Sequence, residues 1–280
     1  MKVLKDKVVA ITGAGSGIGK ATALLLAAQG CHLSLSDIDE AAVMAVAQSC
    51  RQAGVRVGAT RLDVADRDAV YAWADAVAKE HGQIHVIINN AGVALGATVE
   101  DMSYEDFEWL MNINFWGVVY GTKAFLPHLK TAGEGHVVNI SSVFGLIGVP
   151  TQSAYNAAKF AVKGFTESLR EELAIEGAPI GVTCVHPGGI KTNIAANARM
   201  TQSSGFTGPG AKREMEKAFM TTPEAAAETI VRAIRRNQRR LLIGPDARVI
   251  DLISRLLPVH YQDILVLGGR MRRRSLLKKT

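Results

Sequence analysis

Cysteine is scarce in the sequence, and long apolar runs are absent. The three cysteines, Cys31, Cys50 and Cys184, are an odd number, lie far apart and lack the spacing of metal ligands. The sequence therefore predicts neither a disulfide framework nor a metal site. The apolar run at residues 8–11 is too short for the core of a signal peptide or for a membrane span. We expect a soluble protein of the reducing cytoplasm.

Acidic residues are missing from the C-terminal end. The chain carries a formal net charge of +6, and residues 270–280 contain six basic residues and no acidic one. Without this segment, 26 basic residues balance 26 acidic residues. A protein that binds nucleic acid through its body would need a basic cluster there. We interpret the arginines at 232–240 as the solvent-exposed end of a helix, and nucleic acid is not expected as a partner.

The body of the sequence alternates short apolar runs with segments in which apolar residues recur at helical spacing. With 280 residues, 48% of them hydrophobic, the chain can bury the core of one domain. The alternation predicts a single α/β domain of the Rossmann type, with a doubly wound, seven-stranded parallel sheet and helices on both faces. The predicted strands lie at residues 8–12, 33–35, 55–59, 84–88, 136–140, 180–185 and 241–243.

Ser142, Tyr155 and Lys159 form the group of residues best suited to chemistry. If the residues from Ser153 onward are helical, Tyr155 and Lys159 lie four apart on one face of the helix. A phenol has a pKa near 10, and making it a proton acceptor near neutrality requires roughly 4 kcal/mol. A cation about 4 Å away, at an effective dielectric constant near 20, provides an interaction of that order. Ser142 would then hold a substrate oxygen beside the phenol.

A glycine-rich turn, with glycines at 13, 17 and 19, follows the first predicted strand and precedes a helix. Such a turn lets backbone N–H groups and the positive end of a helix approach a pyrophosphate. Asp37, at the end of the second predicted strand, can accept hydrogen bonds from both hydroxyls of a ribose and would repel a 2′-phosphate. The alternative is that Asp37 caps the helix beginning near Ala41.

Four motifs at orderly distances together resemble the short-chain dehydrogenase/reductase family. They are T-G-x-x-x-G-x-G at 12–19, N-N-A-G at 89–92, a serine thirteen residues before Y-x-x-x-K, and P-G-x-x-x-T at 187–192. The thirteen-residue spacing selects Ser142 rather than Ser141. The resemblance implies that the following residues bind the cofactor: Gly13, Ser16, Gly17, Ile18, Gly19, Asp37, Asp63, Val64, Asn90, Ala91, Gly92, Tyr155, Lys159, Pro187, Gly188, Ile190 and Thr192.

The resemblance also implies a catalytic set of Asn114, Ser142, Tyr155 and Lys159. Tyr155 would take the proton of a substrate hydroxyl, Lys159 would lower the pKa of Tyr155 and bind a ribose, and Ser142 would orient the substrate oxygen. Asn114 would perturb its helix so that a backbone carbonyl holds a water of a proton relay. The alternative for Asn114 is a polar helix residue that faces solvent. His186 is disfavoured as a base because a histidine at a strand end is usually structural.

The cofactor implied is NAD. Members of the family that use NADP usually carry a basic residue in the glycine turn or just after the acidic position, whereas this sequence has Ser16 and Ile38 there. We therefore expect an NAD(H)-dependent oxidoreductase that interconverts a secondary alcohol and a ketone. The alternatives are a ketoreductase that acts mainly on acyl thioesters or other carbonyl compounds, and an NAD(H)-sensing protein without catalysis.

Residues 193–222 are interpreted as a substrate lid, because a long irregular segment at the mouth of a site often closes over it. Apolar residues in and near this segment favour a bulky apolar alcohol or ketone, although the same residues would also suit packing beneath the lid. The residues concerned are Leu95, Val143, Phe144, Ile147, Val149, Met200, Phe206, Met215, Phe219 and Met220.

The C-terminal segment departs from the commonest pattern of the family, which ends in Asp-Gly-Gly soon after the last strand. We divide the chain into a catalytic domain, residues 1–245, and a helical extension with a basic tail, residues 246–280. A homodimer or homotetramer is expected. Two apolar runs in the extension are expected to pack on the body or across a dimer, and the alternative is peripheral attachment to an anionic membrane.

Overall fold

A parallel sheet forms the framework of the molecule. The computed structural model describes residues 1–194, 196–201 and 219–277, with side chains as far as Met271. The sheet has seven strands, β1 (Val8–Thr12), β2 (His32–Asp37), β3 (Val57–Arg61), β4 (Val86–Asn89), β6 (Gly135–Ile140), β7 (Ile180–Pro187) and β9 (Arg240–Ile243). They pair in the order β3-β2-β1-β4-β6-β7-β9, and every pairing is parallel. The predicted doubly wound sheet is confirmed.

Helices cover both faces of this sheet. They are α1 (Gly17–Ala28), α2 (Glu40–Arg51), α3 (Arg67–His81), α4 (Tyr104–Met111), α5 (Gly117–Thr131), α6 (Ser153–Glu176), α7 (Pro223–Arg236), α8 (Pro245–Leu256) and α9 (Tyr261–Leu277). One core cluster joins the sheet to α1, α2 and α7, and a second joins it to α3, α5 and α6. Since the central strands are buried on both faces, their sequences are continuous apolar runs.

The helix starts decide one alternative left open by the sequence. The Asp39 carboxylate accepts a hydrogen bond from the N–H of Ala42 and caps α2, and Asp66 caps α3 in the same way. Capping of this kind satisfies N–H groups that have no partner within the helix. Because Asp39 fills this position, Asp37 is not the cap of α2.

A second, two-stranded sheet holds the beginning of the predicted lid. Strand β5 (Leu95–Gly96) pairs with β8 (Arg199–Met200). The Arg199 guanidinium forms an ion pair with Asp106 at 2.8 Å and lies 3.7 Å from the centre of the Trp109 ring. Residues 195 and 202–218, including Phe206 and Met215, lie outside the described residues. The lid therefore stays a prediction.

The two C-terminal helices, α8 and α9, follow β9, the last strand of the sheet. The first turn of α8 is part of the body, since Ala247 is fully buried. Farther along, large apolar side chains of α8 and α9 are exposed. Within the described part of the chain, no helix combines the length and the apolar character needed to cross a bilayer.

Candidate active site

The turn between β1 and α1 is shaped for close approach of a ligand to the backbone. Gly13 has a φ of +63°, and a Cβ there would lie 2.8 Å from the Cα of Ala91. A Cβ at Gly19 would overlap the carbonyl oxygen of Gly13. Only glycine fits these positions, so the N–H groups at the start of α1 stay accessible.

Asn90 and Thr12 lock this turn to the neighbouring strand. The Asn90 side-chain amide donates to the carbonyls of Thr12 and Gly13, at 3.0 and 2.9 Å. The Thr12 hydroxyl accepts hydrogen bonds from the N–H groups of Asn90 and Ala91. The asparagine motif expected at 89–92 therefore joins the ends of β1 and β4 directly.

A cleft of about 190 Å³ opens between the glycine turn and the loop after β7. Gly17 and Thr192 line it, and the Thr192 methyl lies 3.0 Å from the position of a Cβ at Gly17. Lys20, Lys191 and Glu224 also line the cleft. Two lysines against one glutamate leave an excess of positive charge there, which together with the positive end of α1 suits a pyrophosphate. The sequence analysis missed both lysines because neither occupies a specified position of a family motif.

Asp37 lies beside the same turn. One carboxylate oxygen accepts the N–H of Gly15 at 2.8 Å, and the other accepts the N–H of Asp39 at 3.0 Å. The register also places the exposed Arg61 next to Asp37, on the neighbouring strand β3. Paired residues in adjacent strands point to the same side of a sheet. Arg61 is therefore a basic residue near the acid, which the sequence analysis did not identify.

The remaining predicted cofactor residues occupy loops at the same edge of the sheet. Ser16 precedes α1 without capping it, and Ile18 packs against the core. Val64 is buried against Gly117, while the Asp63 carboxylate accepts the N–H of Ala65. Pro187 ends β7, and Gly188, Ile190 and Thr192 follow it. Ile190 is buried in the core, so its side chain holds this loop in place.

Lys159 is buried, with 3% of its surface exposed, and its Nζ donates to the carbonyl of Ile140 at 3.0 Å. Burial lowers the pKa of Lys159 to about 8, because a low-dielectric environment disfavours the charged form. Its Nζ lies 5.6 Å from the centre of the Tyr155 ring. The predicted pairing of the two side chains on one face of α6 is therefore present.

Burial raises the pKa of Tyr155 above the ordinary value of a phenol, and a hydrogen bond with Ser142 acts in the opposite direction. This differs from the expectation that Lys159 lowers the pKa of Tyr155. The physical reason is geometric, because the Lys159 ammonium donates to the end of β6 and lies beside the Tyr155 ring. Desolvation of the phenol is thus the larger effect in the protein alone.

The serine pair divides into two roles. The hydroxyl of Ser141 donates to the carbonyl of Lys159 at 2.8 Å and so supports α6, whereas the hydroxyl of Ser142 accepts the N–H of Phe144. The ring of His186 is fully buried, and its Nδ1 lies 3.0 Å from the carbonyl of Ser142. Burial lowers the pKa of His186 to about 4, so the ring is neutral at pH 7. These contacts suit a structural histidine.

Asn114 lies in a π-helical segment, Asn112–Trp116, between α4 and α5. Its side chain is fully buried, and it accepts the N–H and donates to the carbonyl of Val93, both at 2.8 Å. The alternative of a solvent-facing residue is therefore wrong. A Cβ at Gly92 would lie 3.1 Å from Asn114 Oδ1 and 3.6 Å from Lys159 Nζ. Asn114 and Lys159 thus approach the same point of the backbone.

Two residues that the sequence analysis did not identify shape the loops of the site. Asn156 donates to the carbonyls of Phe144 and Ile147 and accepts the N–H of Val149. A carboxylate oxygen of Asp246, at the start of α8, accepts the N–H of Gly189 at 2.6 Å. Asp246 could have been suspected only from its place after the last strand, where the family has its Asp-Gly-Gly ending.

Three of the apolar residues suggested as a substrate pocket are buried. Leu95, Val143 and Ile147 have 7% or less of their surface exposed. Phe144 is half-buried, and its ring meets that of Tyr155 edge to face with centres 6.1 Å apart. The first three side chains therefore pack behind the wall of the candidate site, and the ring of Phe144 lies beside the phenol of Tyr155.

Comparison with known proteins agrees with this geometry. The family model for short chain dehydrogenases matches residues 7–203. A Mycobacterium tuberculosis protein, SadH, is 46% identical over 268 residues, which cover 96% of this chain and 97% of SadH. The name of SadH places it among oxidoreductases without a stated substrate.

Solved structures with the same fold contain NAD in one case and an NADP derivative in another. A short-chain dehydrogenase/reductase from Burkholderia phymatum in complex with NAD has a TM-score of 0.84 at 31% identity, covering 95% of this chain and 97% of its own. An alcohol dehydrogenase from Thermococcus sibiricus, complexed with 5-hydroxy-NADP, has a TM-score of 0.72 at 26% identity, covering 85% and 96%. Both resemble this chain over most of its length.

Proposed function

Because the chain belongs to the short-chain dehydrogenase family, we propose that it is an NAD(H)-dependent oxidoreductase that interconverts a bulky apolar secondary alcohol and its ketone. The observation that carries the proposal is the meeting of Ser142, Tyr155 and Lys159 beside the glycine turn. A protein that only senses the cofactor would not need a phenol hydrogen-bonded to a serine at this place.

The residues present fit a nicotinamide cofactor. The glycine turn and the two lysines of the cleft would hold its pyrophosphate, Asp37 would hold a ribose, and the loop after β7 would hold the nicotinamide end. When bound, the cofactor exchanges a hydride with the substrate. NAD is supported by Asp37, whose negative charge opposes a 2′-phosphate.

The chain itself handles the proton. In alcohol oxidation Tyr155 acts in its phenolate form and takes the hydroxyl proton at Oη, while the Ser142 hydroxyl holds the substrate oxygen. The Lys159 ammonium, beside the Tyr155 ring, would stabilise the phenolate charge and bind a ribose. Asn114 keeps the backbone at Val93 in position behind the lysine.

Reduction of a carbonyl compound is the second candidate. Burial raises the pKa of Tyr155, so the phenol keeps its proton at neutral pH and can donate it to a ketone. This observation favours the direction from ketone to alcohol. Assays with free alcohol and NAD⁺, and with ketone and NADH, distinguish the two directions.

Subunit contacts are supported by aromatic residues away from the site. Trp116 is 43% exposed and stacks on Tyr120 with ring centres 5.8 Å apart, and Phe160 is 44% exposed. Exposed aromatic side chains are enriched at protein interfaces. We therefore retain a homodimer or homotetramer, working in the cytoplasm, as part of the proposal.

The test is a spectrophotometric assay at the absorbance of NADH with steroids, aryl alcohols and long-chain secondary alcohols. We expect turnover of an apolar substrate that Tyr155→Phe lowers by on the order of 10² or more, since positioned proton transfer usually contributes about 10² to 10⁴ in rate. NADH affinity should stay within a few fold. Tyr104→Phe, at an exposed tyrosine, is the control. A Tyr155→Phe variant that keeps a tenth of wild-type activity would contradict the assignment.

The same assay tests the preference for NAD over NADP. We expect kcat/KM for NAD to exceed that for NADP by at least about tenfold, or roughly 1.4 kcal/mol. Asp37→Ala with Ile38→Arg should narrow or reverse the ratio, helped by Arg61 on the next strand. Asp39→Ala removes a carboxylate two residues away and should leave the ratio unchanged. Equal use of both cofactors by the wild type would refute the preference for NAD.

A further inference from the structure

The two C-terminal helices expose large apolar side chains to solvent along residues 249–271. On α8, Val249, Leu252 and Leu256 recur at i, i+3 and i+7, and each is between 56% and 70% exposed. The inner side of the same helix carries the buried Ala247. The exposed large apolar residues of the extension are Val249, Leu252, Leu256, Leu257, Val259, Ile264, Val266, Leu267 and Met271.

This surface is unusual within the molecule. The extension holds nine of the nineteen large apolar side chains exposed in the described part of the chain, within residues 249–271. Contiguous exposed apolar surface usually marks an interaction site. Of the expectation that both apolar runs pack on the body or across a dimer, the first part is wrong, because the structure leaves these side chains exposed in the single chain; packing across a dimer stays a prediction.

The basic residues that follow this surface in the sequence favour a partner with negative charge. No acidic residue follows Asp263, and residues 270–280 contain six basic residues. An exposed apolar helix face next to basic residues is typical of helices that lie in the interface of a bilayer. We propose that the surface formed by residues 249–271 docks on an anionic membrane, with the basic tail at the lipid headgroups.

A second copy of the chain suits this surface less well. In a two-fold dimer the same patch belongs to both subunits. Such a contact would bring two basic segments, twelve positive charges in all by sequence, to one interface without acidic residues of the tail to balance them. An anionic headgroup layer instead attracts every one of these charges.

The docking surface also adjoins the candidate active site. The Tyr261 hydroxyl, at the start of α9, accepts the N–H of Gly148 at 3.1 Å. Gly148 lies between Ser142 and Tyr155 in the loop that Asn156 holds. On the proposed function, an apolar substrate dissolved in the bilayer would thus meet the site from the docked side. The docking itself does not depend on that function.

Co-sedimentation of the full-length protein with vesicles tests the proposal. We expect sedimentation with phosphatidylcholine–phosphatidylserine vesicles at low salt, little with pure phosphatidylcholine, and release at about 0.5 M salt. Each basic residue near an anionic surface contributes about fivefold to partitioning. Arg270→Gln with Arg272→Gln should therefore weaken binding by on the order of twentyfold.

Neutral variants of the apolar face separate apolar docking from charge alone. Leu252→Gln with Leu256→Gln leaves the net charge unchanged and should strongly weaken binding while circular dichroism stays native. Ile175→Gln, at an 88% exposed position outside the extension, is the matched control and should bind as the wild type does. Failure of the wild type to bind anionic vesicles at low salt would overturn the proposal. The proposal would also be overturned if the Leu252→Gln, Leu256→Gln variant bound vesicles as the wild type does, or if light scattering showed that this variant is a monomer where the wild type is a dimer.

Discussion

Burial controls the proton chemistry of Tyr155 and Lys159 more strongly than their mutual charge. It raises the pKa of the phenol and lowers that of the ammonium to about 8, so both side chains move toward their neutral forms. Burying two ionisable groups lowers the stability of the folded protein and shifts their pKa values, a combination that is common at functional sites. For Lys159 the loss can be measured.

We predict that Lys159→Met is more stable than the wild type at pH 7, by up to about 3 kcal/mol. With a folded pKa of about 8 against an ordinary value of 10.5 for a lysine, the unfolded chain binds the extra proton between these values. Wild-type stability therefore rises with pH across this window. The advantage of the methionine should shrink by about 2 kcal/mol between about pH 7 and pH 9.5.

Urea unfolding of both proteins at the two pH values checks this. Lys163→Met, one turn farther along α6, removes a lysine paired with Glu167 at 3.0 Å and should show little dependence on pH in this range. An advantage of Lys159→Met that does not change with pH would mean that the shift in the pKa of Lys159 is absent.

At the scale of elements, the loop after β7 depends on the first turn of α8. Asp246 accepts the N–H of Gly189, and a Cβ at Gly188 would overlap the Asp246 carboxylate. The fit between loop and carboxylate is therefore close. The helix that begins the extension thus also fixes the loop predicted to hold the nicotinamide end.

We predict that Asp246→Ala weakens NADH binding about tenfold. A hydrogen bond to a charged group contributes about 1.5–3 kcal/mol, and we expect an effect at the low end of this range because Ile190 still fixes part of the loop. Asp246→Asn keeps an acceptor oxygen and should bind within about twofold to threefold of the wild type. Fluorescence titration with NADH measures both. Equal affinities for the alanine and asparagine variants would show that the hydrogen bond does not position the loop.

Elements that depend on local pattern were predictable from the sequence. The central strands β1 and β4 are nearly continuous apolar runs. The π-helical segment at Asn112–Trp116 was not predictable from periodicity, since Asn114 fits a helical pattern equally well. What distinguishes it is a pair of hydrogen bonds to Val93, 21 residues earlier, and only the fold brings these residues together.

The same limit applies to the candidate site. Motif spacing located Ser142, Tyr155, Lys159 and the glycine turn, because their neighbours in sequence are also their neighbours in space. Asp246 contacts Gly189 across 57 residues, and strand pairing places Arg61 opposite Asp37. Neither relationship has a signature in a single sequence.

At the scale of the whole molecule, the sheet buries several histidines in neutral form. Burial lowers the pKa of His136 to about 3 and that of His186 to about 4. The Thr183 hydroxyl donates to the carbonyl of Gln238, so it accepts a hydrogen bond from Nε2–H of His136. His136 is therefore a neutral ring with a defined tautomer.

These two rings should make the fold sensitive to acid above the range in which carboxylates titrate. An unfolded histidine has a pKa near 6.5, so between about pH 6 and 5 the unfolded chain binds protons that these two native rings exclude, and together they lower stability by about 2.4 kcal/mol per pH unit. His136→Gln should therefore reduce the measured slope by about 1.2 kcal/mol per pH unit, while His260→Gln, at an exposed histidine 3.2 Å from Asp263, should leave the slope unchanged. Urea unfolding at half-unit pH intervals measures the slope. A His136→Gln variant with the wild-type slope would show that protonation of this buried ring does not drive unfolding in acid.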